Sequence, residues 1–535
     1  MPFRSNFPDI DVKKIGIYQF ITSNPYGIDD DKVIFIDGLT DKKLTFGQLK
    51  ANSKKLAFGL KNEIKFKRGD VLVIYSPNHI DYPVVIYGTI AAGGIVSPAN
   101  PKYTSEELAS QLIDCGASVI ISHPSCLKEA IKAADAANIH KSKIFLFDEN
   151  EISGFQPFLS LFSDQEIKPE EYTPEEAKST TAYLCYSSGT SGRSKGVEIT
   201  HFNMTSNLMQ MDVFEDQINH KSILIGSHPF FHIYGLTFLI NFIIMKGASC
   251  VIINFELDLF CRIIQDYKVD IAPIVPPIIL LLVNNPIARN YNFESLKLVI
   301  SSAAPLSRQL RKRFVEIYKT PIKQGYGLTE TTPFAIMSKT DNIVEDSIGI
   351  LVPNVECKIV SNDKDKKELG HNEPGELYIR GPNIMKGYLN NKEATSECID
   401  SDGWFHTGDL GKVDLQGNFF FIDRLNDLIS YKKHQIAPSE LESVLLEHSS
   451  IEESAVIGIH SEEQETEYPL AYVKLERNKI QSDQLKEEIK NFVSQRVAAH
   501  KKLRYIHFID EIPKNSPGKS LRRLLKERAK NEFSI

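Results

Sequence analysis

Short apolar runs alternate with amphipathic stretches through the first 180 residues. Val71–Tyr75 reads as a strand, Asp81–Ala92 has helical spacing, and Gly94–Pro98 reads as a second strand. Thr104 and Glu107 form a capping-box pattern that opens a helix running to Asp114, and Ala117–Ser122 reads as a third strand. Strands alternating with helices of this length predict βαβ units and a largely parallel sheet. The rhythm returns at Ser222–Gly226, a helix near 235–246, Ala248–Ile253, a helix near 257–267, Ile271–Ile274 and Leu296–Ser301. From about residue 345 it changes to short alternating strands, Glu356–Val360, Gly375–Arg380 and Asn418–Ile422, among Gly, Asn and Asp turns. The last 110 residues are richer in charge, with helices near 438–448 and 482–497 and strands near 453–459 and 469–475. The boundary before this unit falls at Asp423–Asn426, giving regions 1–424 and 425–535.

Composition narrows the class. Of 535 residues, 42% are hydrophobic and 24% charged, an ordinary globular balance. A net charge of −7 without a long basic run is no footprint for nucleic acid. The 7 cysteines are scattered and never in CxxC, which predicts buried thiols in a reducing compartment. The apolar stretches near 235–245 and 271–283 are too short or too proline-rich to span a bilayer. With no signal-peptide or peroxisomal pattern, the expectation is a cytoplasmic protein.

Four segments carry candidate chemistry. In YSSGTSGRSKGV (186–197), glycines, hydroxyls and Lys195 offer many donors to one polyphosphate. The order of Lys195 and its neighbours is not that of a Walker A loop, and alone the run also reads as a Ser/Gly surface loop. In QGYGLTETTP (324–333), Tyr326 between glycines can face a purine, and Thr329 and Glu330 can serve phosphate and metal. In GWFHTGDLG (403–411), Asp409 can accept ribose hydroxyls or form an ordinary Asx-turn. In PKNSPGK (513–519), Lys519 sits on a Pro/Gly-rich loop, as a mobile or merely solvated cation.

Together with FHIYGL (231–236), SSAAPL (301–306), GELYIRG (375–381) and IDRLNDLI (422–429), this set, in this order, resembles the adenylate-forming superfamily. That superfamily holds acyl-CoA synthetases, 4-coumarate–CoA ligases, beetle luciferases and peptide-synthetase adenylation domains. The likeness runs from about residue 30 to 525 and leans toward the coumarate-ligase and luciferase branch.

The resemblance implies an α/β fold: a large N-terminal domain of two sheet layers plus a β-barrel at about 345–424, then a small, mobile α+β C-terminal domain. It implies a two-step reaction, in which a carboxylic acid and ATP give acyl-AMP and pyrophosphate, and coenzyme A then displaces AMP. On this reading Ser187, Ser188, Gly189, Thr190, Ser191 and Lys195 hold the β- and γ-phosphates. Ala303, Gln324, Gly325 and Tyr326 form the adenine site, and Thr329 touches the α-phosphate. Glu330 binds Mg²⁺, Asp409 and Arg424 clamp the ribose, and Lys519 bridges carboxylate and phosphate. His232, Tyr234, Phe238, Ser302 and Phe334 line an acyl pocket whose bulk disfavours a large substituted cinnamate. Asn426 marks the hinge, and Lys432, Lys433 and Gln435 face coenzyme A. Ser430, Lys433 and Asn254 stand where the family pattern has Lys, Gly and Lys, so the second step is expected to be slow or altered. The alternatives are an adenylation-only enzyme, a luciferase-type oxygenase, or a nucleotide-binding protein without turnover.

Overall fold

The computed structural model describes residues 2–165, 167–187, 194–432, 434–461, 466–477, 479–514 and 520–533. Among these the strands form five sheets. A seven-stranded sheet runs in the order Gly387–Tyr388, Lys195–Thr200, Thr181–Ser187, Ile95–Ala99, Val71–Tyr75, Ala117–Ser122, Ile144–Leu146. A nine-stranded sheet runs Ile350–Leu351, Phe334–Met337, Ile322–Gly327, Leu298–Ser301, Ile271–Ile274, Ile223–Gly226, Ser249–Ile252, Val33–Asp37, Lys43–Thr45. The central strands of both are parallel, as the alternation of strand and helix requires.

The region from 345 is antiparallel. Glu356–Val360, Gly375–Arg380, Phe405–Val413 and Phe419–Arg424 form a sheet that recruits Phe3–Arg4 from the start of the chain. The C-terminal region is smaller. It has a hairpin of Ile429–Tyr431 with His434–Ile436, and a sheet of Ile451–Ser461, Thr466–Leu475 and Tyr505–Phe508. The helices Pro438–Leu445, Asp483–Ser494 and Arg522–Phe533 complete it.

The main core lies among the first three sheets, and the helix Tyr82–Ala91 shows why. Every one of its positions is buried, which a sequence apolar on all sides demands. At Gly88 it presses on the helix Phe46–Asn62, where a Cβ would come within 2.7 Å of Leu56. The helix expected near 235–246 is present, but Gly235–Phe242 winds in the wider π register before Ile243–Lys246 returns to α. Asn241 is the cause. Its amide donates to the Leu236 carbonyl five residues back (2.8 Å), and its Oδ1 accepts from the hydroxyls of Tyr87 (2.7 Å) and Tyr183 (3.1 Å). Both polar atoms of the side chain thus have partners inside the core. No described helix is long and apolar enough to cross a membrane. All 7 cysteines are free thiols, six of them buried.

Candidate active site

Thr181–Ser187 and Lys195–Thr200 form an antiparallel hairpin that sets Ser187 opposite Lys195. Ser188, Gly189, Thr190 and Ser191, at its tip, lie outside the described residues. Ser187 Oγ donates to Glu330 Oε1 (3.1 Å), and the Tyr388 hydroxyl donates to the same oxygen (2.9 Å). Tyr388 comes from the neighbouring edge strand, and Lys195 Nζ stands 4.8 Å from its ring centre. Burial, with the Glu330 charge beside it, raises the Tyr388 phenol above its ordinary pKa and keeps it a donor. Glu330 is 8% exposed. Its Oε2 takes no hydrogen bond from the described residues. Among those residues no group of three His, Cys, Asp or Glu could hold a metal by itself. One carboxylate with an uncommitted oxygen fits Mg²⁺, which commonly takes one or two carboxylates and completes its shell with substrate phosphates and water.

A second cluster lies on the strands Ile322–Gly327, Phe405–Val413 and Phe419–Arg424. The Tyr326 hydroxyl donates to Asp409 Oδ2 (2.8 Å), and Arg424 Nε stands 3.2 Å from Asp409 Oδ1. Asp409 is 1% exposed and sits within a strand, directly across from Arg424 in register, so it is no turn residue. The Asp409 charge raises the Arg424 pKa, while burial, with Asp409 beside it, raises that of the Tyr326 phenol. Ser302 Oγ donates to Gly325 O (2.8 Å), and Gln324 Nε2 donates to Ser347 O (3.1 Å). Ala303 follows Ser302 with φ +71, in the left-handed region. Thr329 lies in a single 3₁₀ turn, Thr329–Thr331, next to Glu330.

The aromatic residues assigned to the acyl pocket pack on one another. Tyr234 meets Phe334 at 5.5 Å and Phe238 at 5.8 Å between ring centres, and Phe238 stacks on Phe242 at 5.4 Å. Phe334 also covers Gly325 so closely that a Cβ there would come within 2.5 Å of its ring. Tyr234 donates its hydroxyl to Ile300 O (3.2 Å), and its backbone N–H to His232 Nδ1 (3.3 Å). Burial pulls the His232 pKa down to about 4.

Composition and motif gave no hint of what locks these loops. The helix His201–Asp212 carries amides at 203, 207 and 210 on its buried face. Asn203 donates to the carbonyls of Pro382 (2.9 Å) and Ile384 (2.8 Å). Asn207 donates to Phe334 O (2.6 Å) and accepts from Phe334 N–H (3.3 Å), and Gln210 donates to Pro353 O (2.8 Å). Asn383 donates to Thr331 O (2.8 Å) and Phe334 O (3.1 Å), fastening 383 to the Thr-Glu loop. The available signal was the i, i+4, i+7 spacing of amides in an otherwise buried segment.

The C-terminal candidates are less gathered. Lys432 occupies the hairpin turn at φ +53, with its N–H on Thr466 Oγ1 (2.5 Å). Gln435 Oε1 accepts from the Asn362 amide (3.3 Å), Ser430 is exposed, and Asn254 Oδ1 accepts from Asn78 N–H (3.2 Å). Lys433 and Lys519 lie outside the described residues. Asn426 is exposed in the turn Leu425–Asp427. Just before it, Asp423 accepts from Ser439 N–H (2.8 Å) at the start of the helix Pro438–Leu445. Arg522 ties Asp427 (2.9 Å) to Glu442 (2.8 Å) on that same helix.

The family model for AMP-binding enzymes matches residues 28–389, and that for the AMP-binding enzyme C-terminal domain matches 440–519. The chain is 37% identical over 554 residues to a probable 4-coumarate–CoA ligase 2 of Dictyostelium discoideum, covering 98% of this chain and 97% of that one. It is 34% identical over 538 residues to 4-coumarate–CoA ligase 3 of Arabidopsis thaliana, covering 98% and 93%. Among solved structures, the o-succinylbenzoate CoA synthetase of Bacillus subtilis in complex with its acyl-adenylate intermediate superposes with a TM-score of 0.80. That pair is 26% identical over 95% of this chain and 98% of the other. With both domain matches in order and relatives of this similarity along nearly its full length, the chain belongs to the AMP-binding enzyme family and is an AMP-forming ligase.

Proposed function

We propose that the protein activates a compact apolar carboxylic acid, a medium-chain fatty or simple aromatic acid, as its acyl-adenylate and passes the acyl group to coenzyme A. The observation that carries this reading is the pair of clusters joined through one strand and turn, Ser187–Glu330–Tyr388 with Lys195, and Tyr326–Asp409–Arg424. In the first step an oxygen of the acid attacks the α-phosphorus of ATP, and the bond to the departing pyrophosphate breaks. Lys195 and the loop from Ser187 would bind the β- and γ-phosphates, while Thr329 would donate to the α-phosphate. Asp409 would accept from the ribose hydroxyls. Gln324, Gly325, Tyr326 and Ala303 would bracket the adenine. Glu330 would hold Mg²⁺, which supplies positive charge at the phosphates. Lys519 would bring a second cation to the reacting oxygens. In the second step the thiol sulfur of coenzyme A attacks the acyl carbon and AMP leaves, with Lys432, Lys433 and Gln435 near the incoming thiol.

The close-packed Tyr234, Phe238 and Phe334 support a small acid over a bulky cinnamate. ATP–pyrophosphate exchange across a panel of carboxylic acids tests the reading. Exchange driven by compact acids is the expected outcome. Absence of exchange with every acid would leave a nucleotide-binding protein, and preference for substituted cinnamates would overturn the substrate class.

A further inference from the structure

His228 lies four residues before His232, 2% exposed, and nothing in the proposed reaction uses it. Its Nε2 stands 3.4 Å from His232 Nδ1, with the rings close to perpendicular at 88°. Its own ring leans on Tyr234, 4.9 Å between centres. The backbone on either side is held by Asn78, whose amide donates to His228 O (2.9 Å) and Gly226 O (3.2 Å) and accepts from Phe230 N–H (2.8 Å). The pair is therefore a fixed contact inside the core.

Burial makes both rings neutral, lowering His232 to about 4 and His228 well below its ordinary value, and a proton on His232 would disfavour one on His228 further. Each neutral ring carries a single N–H, and its partners decide on which nitrogen. His232 Nδ1 receives the Tyr234 backbone N–H, a group that can only donate. That nitrogen is an acceptor, and the His232 proton sits on Nε2. The contact with His228 is then favourable only when His228 Nε2 carries the proton, because the reverse would set two lone pairs against each other. His232 Nε2 has no hydrogen-bond partner among the described residues.

We infer that His228 is a positioning residue that holds His232 in its Nε2–H form, so that His232 presents the acid with a neutral hydrogen-bond donor and not a base. The inference rests on the reading that His232 lines the acyl pocket. It gives His232 the task of binding a carboxyl or adenylate oxygen and removes proton abstraction from its possible roles.

The experiment uses the full chain as His228→Leu, His228→Gln and His232→Ala, with pyrophosphate exchange and ¹⁵N-imidazole NMR. In the wild type, His232 should resonate with Nε2 protonated and Nδ1 bare between pH 6 and 8. His228→Leu should raise the His232 pKa and lower kcat/KM for the acid by about tenfold, the order expected for one lost hydrogen bond, with KM for ATP unchanged. His228→Gln, whose side-chain amide can donate to Nδ1, should restore most of both. A proton on Nδ1 of wild-type His232 overturns the inference. So do equal losses in the Leu and Gln variants, which would mean packing alone, and a Leu variant with wild-type values. Should the Leu variant fail to fold, the wild-type spectrum and the Gln variant still decide. Full activity in His232→Ala would instead overturn the pocket reading, which the NMR result does not depend on.

Discussion

Asp409 has a hydroxyl and a guanidinium beside it before any ligand arrives, so its carboxylate is oriented in advance. If Asp409 accepts from the ribose hydroxyls as proposed, replacing it with alanine removes two charge-assisted contacts, each worth about 1.5–3 kcal/mol. Asp409→Ala should raise KM for ATP by at least tenfold in steady-state kinetics, and unchanged ATP affinity in a folded variant would restrict Asp409 to holding Tyr326 and Arg424. Ser430 and Lys433 lead to a second residue-scale expectation. A side chain at 433 restricts the close backbone approach that glycine allows, and Ser430 supplies no cation. With preformed acyl-AMP and coenzyme A, thioester formation should be slower than adenylation, and Ser430→Lys with Lys433→Gly should speed it. Equal rates, unmoved by these substitutions, would make the second step an ordinary one.

At the scale of elements, the helix His201–Asp212 does work that its sequence does not advertise. Asn207 serves both backbone groups of Phe334, so Asn207→Leu would remove the side-chain acceptor of the buried N–H and leave the C=O to Asn383 alone. The variant should lose roughly 2–3 kcal/mol of stability, read as a lower denaturation midpoint. The strands Val71–Tyr75 and Gly375–Arg380 were legible to the residue, because an apolar run in the first and an alternating run in the second, each flanked by turn residues, carry their own boundaries. Thr104 and Glu107 announced their helix for the same local reason. The π-wound Gly235–Phe242 was not legible, since its register depends on Tyr87 and Tyr183, remote hydroxyls that meet Asn241 only after folding. The site divides likewise. Motifs named Glu330 and Asp409, whereas Tyr388 and Asn383 act through long-range contacts that leave no local pattern.

At the scale of the whole molecule, buried neutral histidines add to the acid sensitivity of the fold. His201 is fully enclosed, with Nδ1 on Ile17 N–H (3.3 Å), and burial lowers its pKa to about 3. His228 is lowered in the same direction. Both bind a proton more readily unfolded than folded. Their contribution to stability is therefore complete above about pH 6.5 and is lost as pH falls toward the folded values, at about 1.4 kcal/mol per pH unit for each group. Denaturation midpoints should fall steadily from pH 6.5 to 4, and His201→Gln should flatten that slope. The joint between the two regions has another consequence. Asp423 belongs to the helix Pro438–Leu445 through Ser439, while Arg424, one peptide bond away, belongs to Asp409. The two contacts therefore share a backbone, and a nucleotide bound by Arg424 as proposed would draw on the segment that leads into the C-terminal region. If the C-terminal region turns as the family resemblance implies, affinity and domain angle become two readings of one equilibrium: whatever factor ATP gains from one orientation, that orientation gains from ATP.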